Sequence, residues 1–267
     1  MGRCSVNVVQ TIAMTASLLA PPVTPLPDLP AVLARQGYGV LSAASVRECT
    51  GLAAAQLDEL LALWADLPPD AWLKDGGKYR QRRHASYVAR GDALHDVPHR
   101  AHWQPLAYNA LHGGLERWFE PLHAADAARP AWRRLLRELA RLASRSDGRT
   151  GTDDEPWYIE AHPFRISTAG GIGRPTPEGA HRDGVDWVAV FLVSREGIKG
   201  GETRVFDAHG PQGQRFTLRE PWSLLWLDDR RVIHETTPLQ PLTSAIGHRD
   251  TLVVTLRRHG FQDATMP

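Results

Sequence analysis

The chain has 267 residues, 42% of them apolar, which is enough to bury a sizeable core in one sandwich or barrel with flanking helices. Its 31 basic and 30 acidic side chains nearly cancel, and this balance argues against non-specific binding to nucleic acid or to an anionic membrane. With only two cysteines, Cys4 and Cys49, a disulfide framework is excluded, and a reducing cytoplasm is the expected compartment.

The first thirty residues are expected to lie outside the folded domain. Residues 1–20 faintly resemble a signal peptide, but polar residues interrupt the apolar stretch. A disordered tail, or translation from Met14, explains this segment better. Residues 21–30 (PPVTPLPDLP) form a proline-rich linker. We therefore place a single domain at residues 31–267, after a tail and linker at 1–30.

One strand and two helices are predicted in the first half. Residues 37–42 (GYGVLS) read as a short strand. Residues 51–67 are expected to form a helix that Pro68 ends, and a longer helix starts near Pro130. The apolar positions are Leu57, Leu60, Leu61 and Trp64 in the first helix, and Trp132, Leu135, Leu136, Leu139 and Leu142 in the second.

From about residue 157 the pattern changes to short β-prone runs. These runs are WYIEAHPFRIS, WVAVFLV, ETRVFDA, WSLLWLD and DTLVVTLRR, with Gly, Pro and Asp between them. Such spacing predicts an antiparallel sandwich or barrel, with the helices of the first half packed on its outside. The fold class is therefore α+β, in one catalytic domain.

The loop segment PEGAHRDG places His181 and Asp183 two positions apart. In a chain with twelve histidines this pair alone is a weak signal, since turn chemistry also explains it. His234, at the end of a later strand, supplies a third ligand. Two neutral imidazoles and one carboxylate form the facial triad of non-haem Fe(II). We predict a metal site and catalytic centre of these three residues; the rival acids Asp228 and Asp229 indicate a charged turn.

The last predicted strand begins with an arginine followed by x-Thr. Arg249 and Thr251 point to the same face because side chains alternate along a strand. A planar guanidinium binds a carboxylate through two parallel hydrogen bonds, and a neighbouring hydroxyl adds a third. This is the place where a 2-oxoglutarate oxygenase holds the distal carboxylate of its cosubstrate. Arg257 and Arg258 are expected to be exposed strand-end arginines.

The segments PEGAHRDG, GGET, DDRRVIHETTP and RDTLVVTL resemble bacterial 2-oxoglutarate/Fe(II) dioxygenases of the L-isoleucine 4-hydroxylase type. The upstream segments YRQRRHASYV and NALHGGLERWFEPL extend the similarity to roughly residues 37–258. The resemblance implies a double-stranded β-helix (a cupin-like jelly roll), iron at His181, Asp183 and His234, and 2-oxoglutarate at Arg249. It also implies O₂-dependent hydroxylation of a free L-amino acid or a derived metabolite, with release of succinate and CO₂.

A free amino acid needs a cation for its carboxylate and an anion for its ammonium. On a regular strand Glu160 and Arg165 face opposite sides, unless Pro163 marks a bulge. We predict Arg165 as the carboxylate partner, with an outward-facing strand arginine as the equal alternative. Glu178 and Glu160 are candidate ammonium partners, and Trp187 is a candidate wall of the substrate pocket.

Two alternatives stay open at this point. A non-redox cupin-type metal enzyme or small-molecule binding module would use the same His/Asp/His site with zinc or manganese. It would not need Arg249 and Thr251. The basic stretch at residues 78–90 suggests RNA, but few aromatics are interleaved with it. Its arginines are therefore expected to line the substrate entrance or to pair with acids, and the expected partner is a small molecule.

Overall fold

The structure is a computed structural model that describes residues 19–109, 111–148 and 155–264. Residues 1–18 of the predicted tail (1–20) lie outside the described residues. Within them the helices are α1 (Leu29–Gln36), α2 (Ala43–Thr50), α3 (Ala54–Asp58), α4 (Ala124–Ala127) and α5 (Pro130–Ser146), with 3-10 turns at Leu26–Asp28 and Glu59–Trp64. The strands are β1 (Tyr38–Leu41), β2 (Arg80–Arg82), β3 (Ala85–Arg90), β4 (Ala93–Asp96), β5 (Trp157–Ser167), β6 (Trp187–Glu196), β7 (Ile198–Gly200), β8 (Thr203–Asp207), β9 (Gly213–Phe216), β10 (Leu224–Asp228), β11 (Val232–Thr236), β12 (Leu239–Pro241) and β13 (His248–Arg257).

A large antiparallel sheet forms the centre of the fold. Across the described residues its strand order is β1-β10-β6-β13-β5-β3-β4, and β2 also pairs with β5. Two smaller sheets, β11-β8-β9 and β12-β7, complete the β structure. Strand β13 pairs along its length with both β5 and β6. This arrangement is consistent with the predicted jelly-roll core in an α+β domain.

Strand β6 shows how the layers are held together. Ala189 and Phe191 pack in the core that the sheet shares with the helices. Val188 and Leu192 point the other way, into a second core with residues of β8 and β9. Because both faces are covered, the strand reads as a continuous apolar run rather than an alternating one. The sheet is therefore the middle layer between helices and the smaller sheet.

Helix α5 covers the helical side of the large sheet, as its sequence predicts. Its apolar face, with Trp132, Leu135 and Leu136 fully buried, packs in the same core as α2 and the strands. Pro130 occupies the first turn, where its missing N–H costs no helical hydrogen bond. Among the described helices, none is both long enough and apolar enough to cross a bilayer.

Two predicted segments differ in the structure. The helix expected over 51–67 is a short α-helix followed by a 3-10 turn, so Leu60 and Leu63 share the buried side while Leu61 is 44% exposed. The linker expected at 21–30 packs on the domain, because the backbone N–H of Thr24 donates to Val40 over 2.7 Å. α1 then begins inside that segment. The packed body therefore includes residues before position 31.

Trp132 is a direct test of the helix–sheet core. Its side chain is fully buried, and its Nε1–H donates to the hydroxyl of Tyr87 over 2.8 Å. Trp132→Ala should lower the free energy of unfolding by about 3–5 kcal/mol, because it leaves a large cavity. Trp118→Ala, at a side chain 51% exposed, is the control and should cost less than about 1 kcal/mol. Urea denaturation measures both; equal losses would contradict this account of the core.

Candidate active site

His181 and His234 are held side by side by the backbone. The N–H of His181 donates to the carbonyl of His234 over 3.0 Å, and the N–H of His234 donates back over 2.9 Å. This isolated bridge joins the loop between β5 and β6 to strand β11. The two rings lie 4.7 Å apart with their planes inclined by 45°. Strand β11 therefore fixes the position of the loop that carries His181.

Asp183 completes the group. Its Oδ1 lies 3.8 Å from Nε2 of His181, and its Oδ2 lies 3.8 Å from Nε2 of His234. One potential ligand atom from each of the three residues lies within 4.8 Å of the others. The sequence-predicted triad is thus brought together in space, at a spacing that a single metal ion can bridge after small side-chain adjustments.

The two histidines of the triad differ in their tendency to bind a proton. Nδ1 of His181 lies 3.1 Å from the carbonyl of Gly179 and donates to it, so that Nε2 is the nitrogen that faces Asp183. Burial alone would lower the pKa of His181, but the charges of Asp183 and Glu178 raise it, and a metal ion bound at Nε2 would displace that proton. Burial lowers the pKa of His234 to about 4, so this imidazole is neutral near pH 7. Nδ1 of His234 has no hydrogen-bond partner in the described structure. Two neutral imidazoles and a carboxylate are the donor set that Fe(II) takes in non-haem oxygenases.

Asp229 fixes the backbone that carries Asp183. Its carboxylate accepts hydrogen bonds from the N–H groups of Asp183 (3.0 Å), Gly184 (2.7 Å) and Val185 (3.0 Å). Gly184 has φ of +77°, which a side chain would resist. The predicted turn is present, since Asp229 lies between β10 and β11, but Asp229 is fully buried and binds the triad loop instead of facing solvent.

The charge of Asp229 depends on what the triad holds. Burial, together with the nearby charge of Asp183, raises the pKa of Asp229 to about 7. A cation at the triad offsets the charge of Asp183 and so favours the ionised form of Asp229. The ionised form is the one that can accept all three backbone hydrogen bonds.

Gln104 is a site residue that the sequence analysis missed. Its Nε2 donates to Oδ1 of Asp183 over 2.9 Å. Its Oε1 accepts from Nη2 of Arg117 (2.7 Å) and Nδ2 of Asn109 (3.2 Å), which fixes the orientation of the amide. These residues come from an irregular stretch between β4 and α4, where no periodic pattern marks them.

Arg249 and Thr251 face the same cavity as the triad. Both are buried on β13, and Nη2 of Arg249 has no hydrogen-bond partner among the described residues. Burial lowers the pKa of Arg249 to about 10, so the guanidinium is still charged near pH 7. An unpaired buried guanidinium beside a hydroxyl is chemically suited to the distal carboxylate of 2-oxoglutarate.

The predicted substrate residues are divided between two faces. Arg165 lies on the face of β5 opposite the cavity and forms an ion pair with Asp250 over 2.7 Å, because strand alternation is unbroken at Pro163. Trp187 is buried in the helix–sheet core, stacked on Trp226. Neither residue reaches the cavity.

The two predicted glutamates lie closer to the triad. Glu178 lines the cavity, 3.6 Å from Nδ1 of His181. Glu160 does not line the cavity. It accepts hydrogen bonds from His102 (3.1 Å) and Arg100 (2.9 Å) and lies 3.2 Å from Nε2 of His84. Burial alone would raise its pKa, but the contacts with His102 and His84 hold the pKa of Glu160 well below its usual range. Of these two glutamates, only Glu178 can contact a molecule bound in the cavity.

The cavity beside the triad measures about 120 Å³, and most of the residues that line it are polar or charged. It opens between the large sheet and the loop that carries His181. Besides the triad, Glu178, Arg249 and Thr251, the polar side chains lining it are Arg80, Arg82, His102, Gln104, Asn109, Arg117, His162, Thr176, Thr236 and Thr255. Arg80 and Arg82 of the basic stretch at residues 78–90 line the cavity, whereas Arg83 of the same stretch pairs with Asp66 over 3.2 Å.

A second histidine cluster lies beside the cavity but is not arranged for a metal ion. His84, His102 and His162 are all buried, with potential ligand atoms within 4.8 Å of one another. The rings of His84 and His162 are stacked, with planes 10° apart and centroids separated by 4.7 Å. A metal ion lies near the plane of each imidazole that binds it, since the nitrogen lone pair lies in that plane. Two stacked rings cannot both point a nitrogen lone pair at one ion. We therefore assign the three histidines to the hydrogen-bonded cluster around Glu160.

Asp229 provides the test of the metal-site geometry. Asp229→Asn replaces one acceptor oxygen by an N–H₂ group that opposes the backbone N–H donors of residues 183–185. Fe(II) affinity should fall about 10- to 100-fold, as for other groups that orient a metal ligand. Asp228→Asn is the control, because Asp228 pairs with Arg230 (2.8 Å) rather than with the triad loop. Competition with a metal-sensing dye measures affinity; equal affinities of wild type and Asp229→Asn would contradict the role of Asp229.

Solved structures resemble this fold over nearly its whole length. A bsmA homologue from Methylobium petroleophilum PM1 is 52% identical, with a TM-score of 0.85, over 92% of this chain and 98% of that one. IDO from Bacillus thuringiensis is 18% identical (TM-score 0.69; 89% and 97% covered). TqaL, an Fe(II)/α-ketoglutarate-dependent dioxygenase, is 17% identical (TM-score 0.66; 91% and 89% covered). At these lower identities the last two show a shared fold alone.

The sequence itself carries a family signature. No curated protein matches the chain. The sequence model of the 2OG-Fe dioxygenase family, however, matches residues 61–255, which include the triad, Arg249 and the arginines of the cavity. The match confirms the predicted resemblance at the level of the family, while the L-isoleucine 4-hydroxylase type stays a prediction. The chain belongs to the 2OG-Fe dioxygenase family.

Proposed function

We propose that the protein hydroxylates a C–H bond of a free L-amino acid, or of a metabolite derived from one. It would use Fe(II), 2-oxoglutarate and O₂, and release succinate and CO₂. One observation carries the proposal: the triad and the unpaired guanidinium of Arg249 line the same small cavity. Family membership favours this activity over the non-redox cupin alternative, which has no use for a buried arginine at that position.

The residues have separate tasks. His181, Asp183 and His234 would hold the iron on one side and leave its other positions open to the cavity. When bound, Fe(II) with 2-oxoglutarate and O₂ supplies the oxidant for an unactivated C–H bond. Gln104 and Asp229 keep the carboxylate and the backbone of Asp183 in place. The protein residues would thus position the reacting atoms, and Fe(II), 2-oxoglutarate and O₂ would supply the oxidation chemistry.

Arg249 and Thr251 would orient the cosubstrate. A carboxylate placed on the guanidinium of Arg249 gains charge-assisted hydrogen bonds that are shielded from water, since the side chain is 4% exposed. The rest of the cosubstrate then extends along the cavity toward the triad. Arg257, the next candidate in sequence, is used elsewhere, because its Nη1 donates to the carbonyl of Gly260 over 2.9 Å.

The charges that line the cavity support a small zwitterionic substrate. Glu178 offers an anion; its Oε2 accepts no hydrogen bond in the described structure, and Nδ1 of His112 lies 3.9 Å from it. The arginines of the cavity offer cations. Charges of both signs around one cavity favour a zwitterion such as a free amino acid.

Asp183→Ala tests the proposed activity. Wild-type protein should release succinate only when Fe(II), 2-oxoglutarate and O₂ are all present. The variant should lose this release, because the triad loses its only carboxylate. Asp207→Ala, at the exposed end of β8, is the control and should keep full activity. Coupled detection of succinate measures both; turnover by an iron-loaded Asp183→Ala protein would show that the triad is not the reaction centre.

Arg249→Ala tests the cosubstrate site. The change leaves the distal carboxylate buried and unpaired, a loss of about 2–5 kcal/mol, or roughly thirty-fold to several-thousand-fold in affinity. The apparent KM for 2-oxoglutarate should rise accordingly while Fe(II) still binds. Arg257→Ala should leave the KM unchanged. Anaerobic titration of the Fe(II) protein, followed by its visible absorption, gives the affinity directly. An unaltered affinity in Arg249→Ala would move the cosubstrate site elsewhere.

The substrate itself is found by a screen for succinate release over the free L-amino acids, aliphatic ones first. At least one should stimulate release well above the substrate-free rate. If none does, free amino acids are not the substrates, and amino-acid derivatives or carrier-bound residues are screened next.

A further inference from the structure

The cavity holds a second set of cations, separate from Arg249. Strand β2 pairs with β5 on the side away from β13, so that Ile166 lies between Arg80 and Arg249 in one row across the sheet. Phe164 lies between Arg82 and Thr251 in the next row. Two strand spacings put the two arginine positions about 10 Å apart at their Cα atoms. We call Arg80, Arg82 and Arg117 the arginine wall.

Arg82 is packed between aromatic side chains within this wall. Its guanidinium carbon lies 3.6 Å from the ring centre of Phe119 and 4.1 Å from that of Phe164, so both rings make cation-π contacts with it. Nη2 contacts Nδ1 of His162. Its Nε has no hydrogen-bond partner in the part of the chain that the structure describes. Arg82 therefore lines the cavity with a buried donor that the protein leaves without an acceptor.

Arg117 is linked to the metal triad through Gln104. Its side chain is buried, and Nη2 donates to Gln104, which in turn holds Asp183. Among the described residues no carboxylate lies within ion-pair distance of Arg117, and its Nε is unpartnered. Burial and the neighbouring charge of Arg80 lower the pKa of Arg117 to about 10. Such a buried, uncompensated guanidinium gains more from an anion than an exposed one does.

The acids close to the wall are already engaged. Asp70 lies 2.7 Å from Nε of Arg80 and 3.9 Å from Nη1 of Arg82, so one carboxylate serves two arginines. Glu160 is used by the histidine cluster and by Arg100. Glu178 also lines this cavity and acts on Arg117 through its charge, but among the described residues it forms no ion pair with the wall. The wall therefore has three guanidinium groups and one paired carboxylate, and an anion in a bound molecule would offset the difference.

We propose that Arg82 and Arg117 bind the carboxylate of the substrate and that Glu178 binds its ammonium group. The substrate class is then an α-amino acid with both groups free, held by its zwitterionic end beside the triad while its side chain is oxidised. The ammonium half of this assignment rests on the proposed function. The anion half does not, because it follows from the charge of the wall alone.

The test uses protein loaded with Co(II) and saturated with N-oxalylglycine, an unreactive analogue of 2-oxoglutarate, so that the Arg249 site is filled and no turnover occurs. The probes are two matched pairs: 4-methylpentanoate with 4-methylpentanamide, and L-leucine with L-leucinamide. Within each pair the shape is retained and the negative charge is removed. Calorimetric titration gives the affinities. Wild-type protein should bind each carboxylate about 10- to 100-fold more tightly than its amide.

Arg117→Gln removes the charge of Arg117 but keeps a hydrogen-bond donor for Gln104. It should lose most of the preference for carboxylate over amide, and Arg117→Lys should keep part of it. Arg165→Gln is the matched control, because that arginine lies outside the cavity, and it should bind like wild type. Unchanged Co(II) affinity and melting temperature show that a variant is folded. Equal binding of acid and amide by wild type, binding of neither, or a preference that survives in Arg117→Gln would overturn the anion subsite.

Glu178→Gln separates the two halves. Wild type should prefer L-leucine to 4-methylpentanoate, and the variant should lose that preference. If the carboxylates bind through Arg117 but the amino group adds nothing and no amino acid is oxidised, the anion subsite stands and the amino-acid function fails. If an amino acid is oxidised with a KM that Arg117→Gln does not change, the function stands and the subsite is wrong.

Discussion

The alternation of side chains along β13 and β5 is the constraint on which the site depends. These strands pair over ten consecutive residues, and the pairing admits no slip without moving every side chain to the opposite layer. Arg249 and Thr251 therefore enter the cavity while Asp250 lies outside it. The same rule sends His162 and Phe164 inward and Arg165 outward. Arg249, which we propose as the cosubstrate arginine, is thus positioned by register rather than by its own contacts.

The metal triad uses a different device, since two of its members lie in a loop. The reciprocal hydrogen bonds between His181 and His234 join that loop to β11, and the carboxylate of Asp229 gathers the next three N–H groups. These hydrogen bonds hold the loop backbone in place at His181 and Asp183, the two triad residues that it carries. Gln104 then sets the carboxylate of Asp183 from the other side. The backbone and the side chain of Asp183 are thus held by two different residues, Asp229 and Gln104.

The sequence predicts those strands and helices in which apolar residues recur at a short, regular spacing. The bounds of β5 and the start of α5 agree with their apolar patterns. The triad and Arg249 come together in one cavity, although His234 lies in the middle of β11 and not at a strand end. Arg117 and Gln104 were missed because the chain around them has no regular period and acts through one long-range contact. At Asp229 the turn was predicted but the contact with the triad loop was not, since its partners lie more than forty residues away.

The distribution of charge in the cavity links these observations. Burying several guanidinium groups in one wall is costly unless each receives compensation. Phe119 and Phe164 supply part of it to Arg82, Asp70 supplies part to Arg80, and Gln104 gives Arg117 a neutral acceptor only. Arg249 also lacks a carboxylate partner among the described residues, on the same face of the sheet and across β5 from Arg80. The cavity therefore has two separate groups of buried guanidinium with too few carboxylates, together with a triad suited to a cation. Because a bound anion would offset part of the cost of burying each group, we expect each charge to help determine which molecules bind.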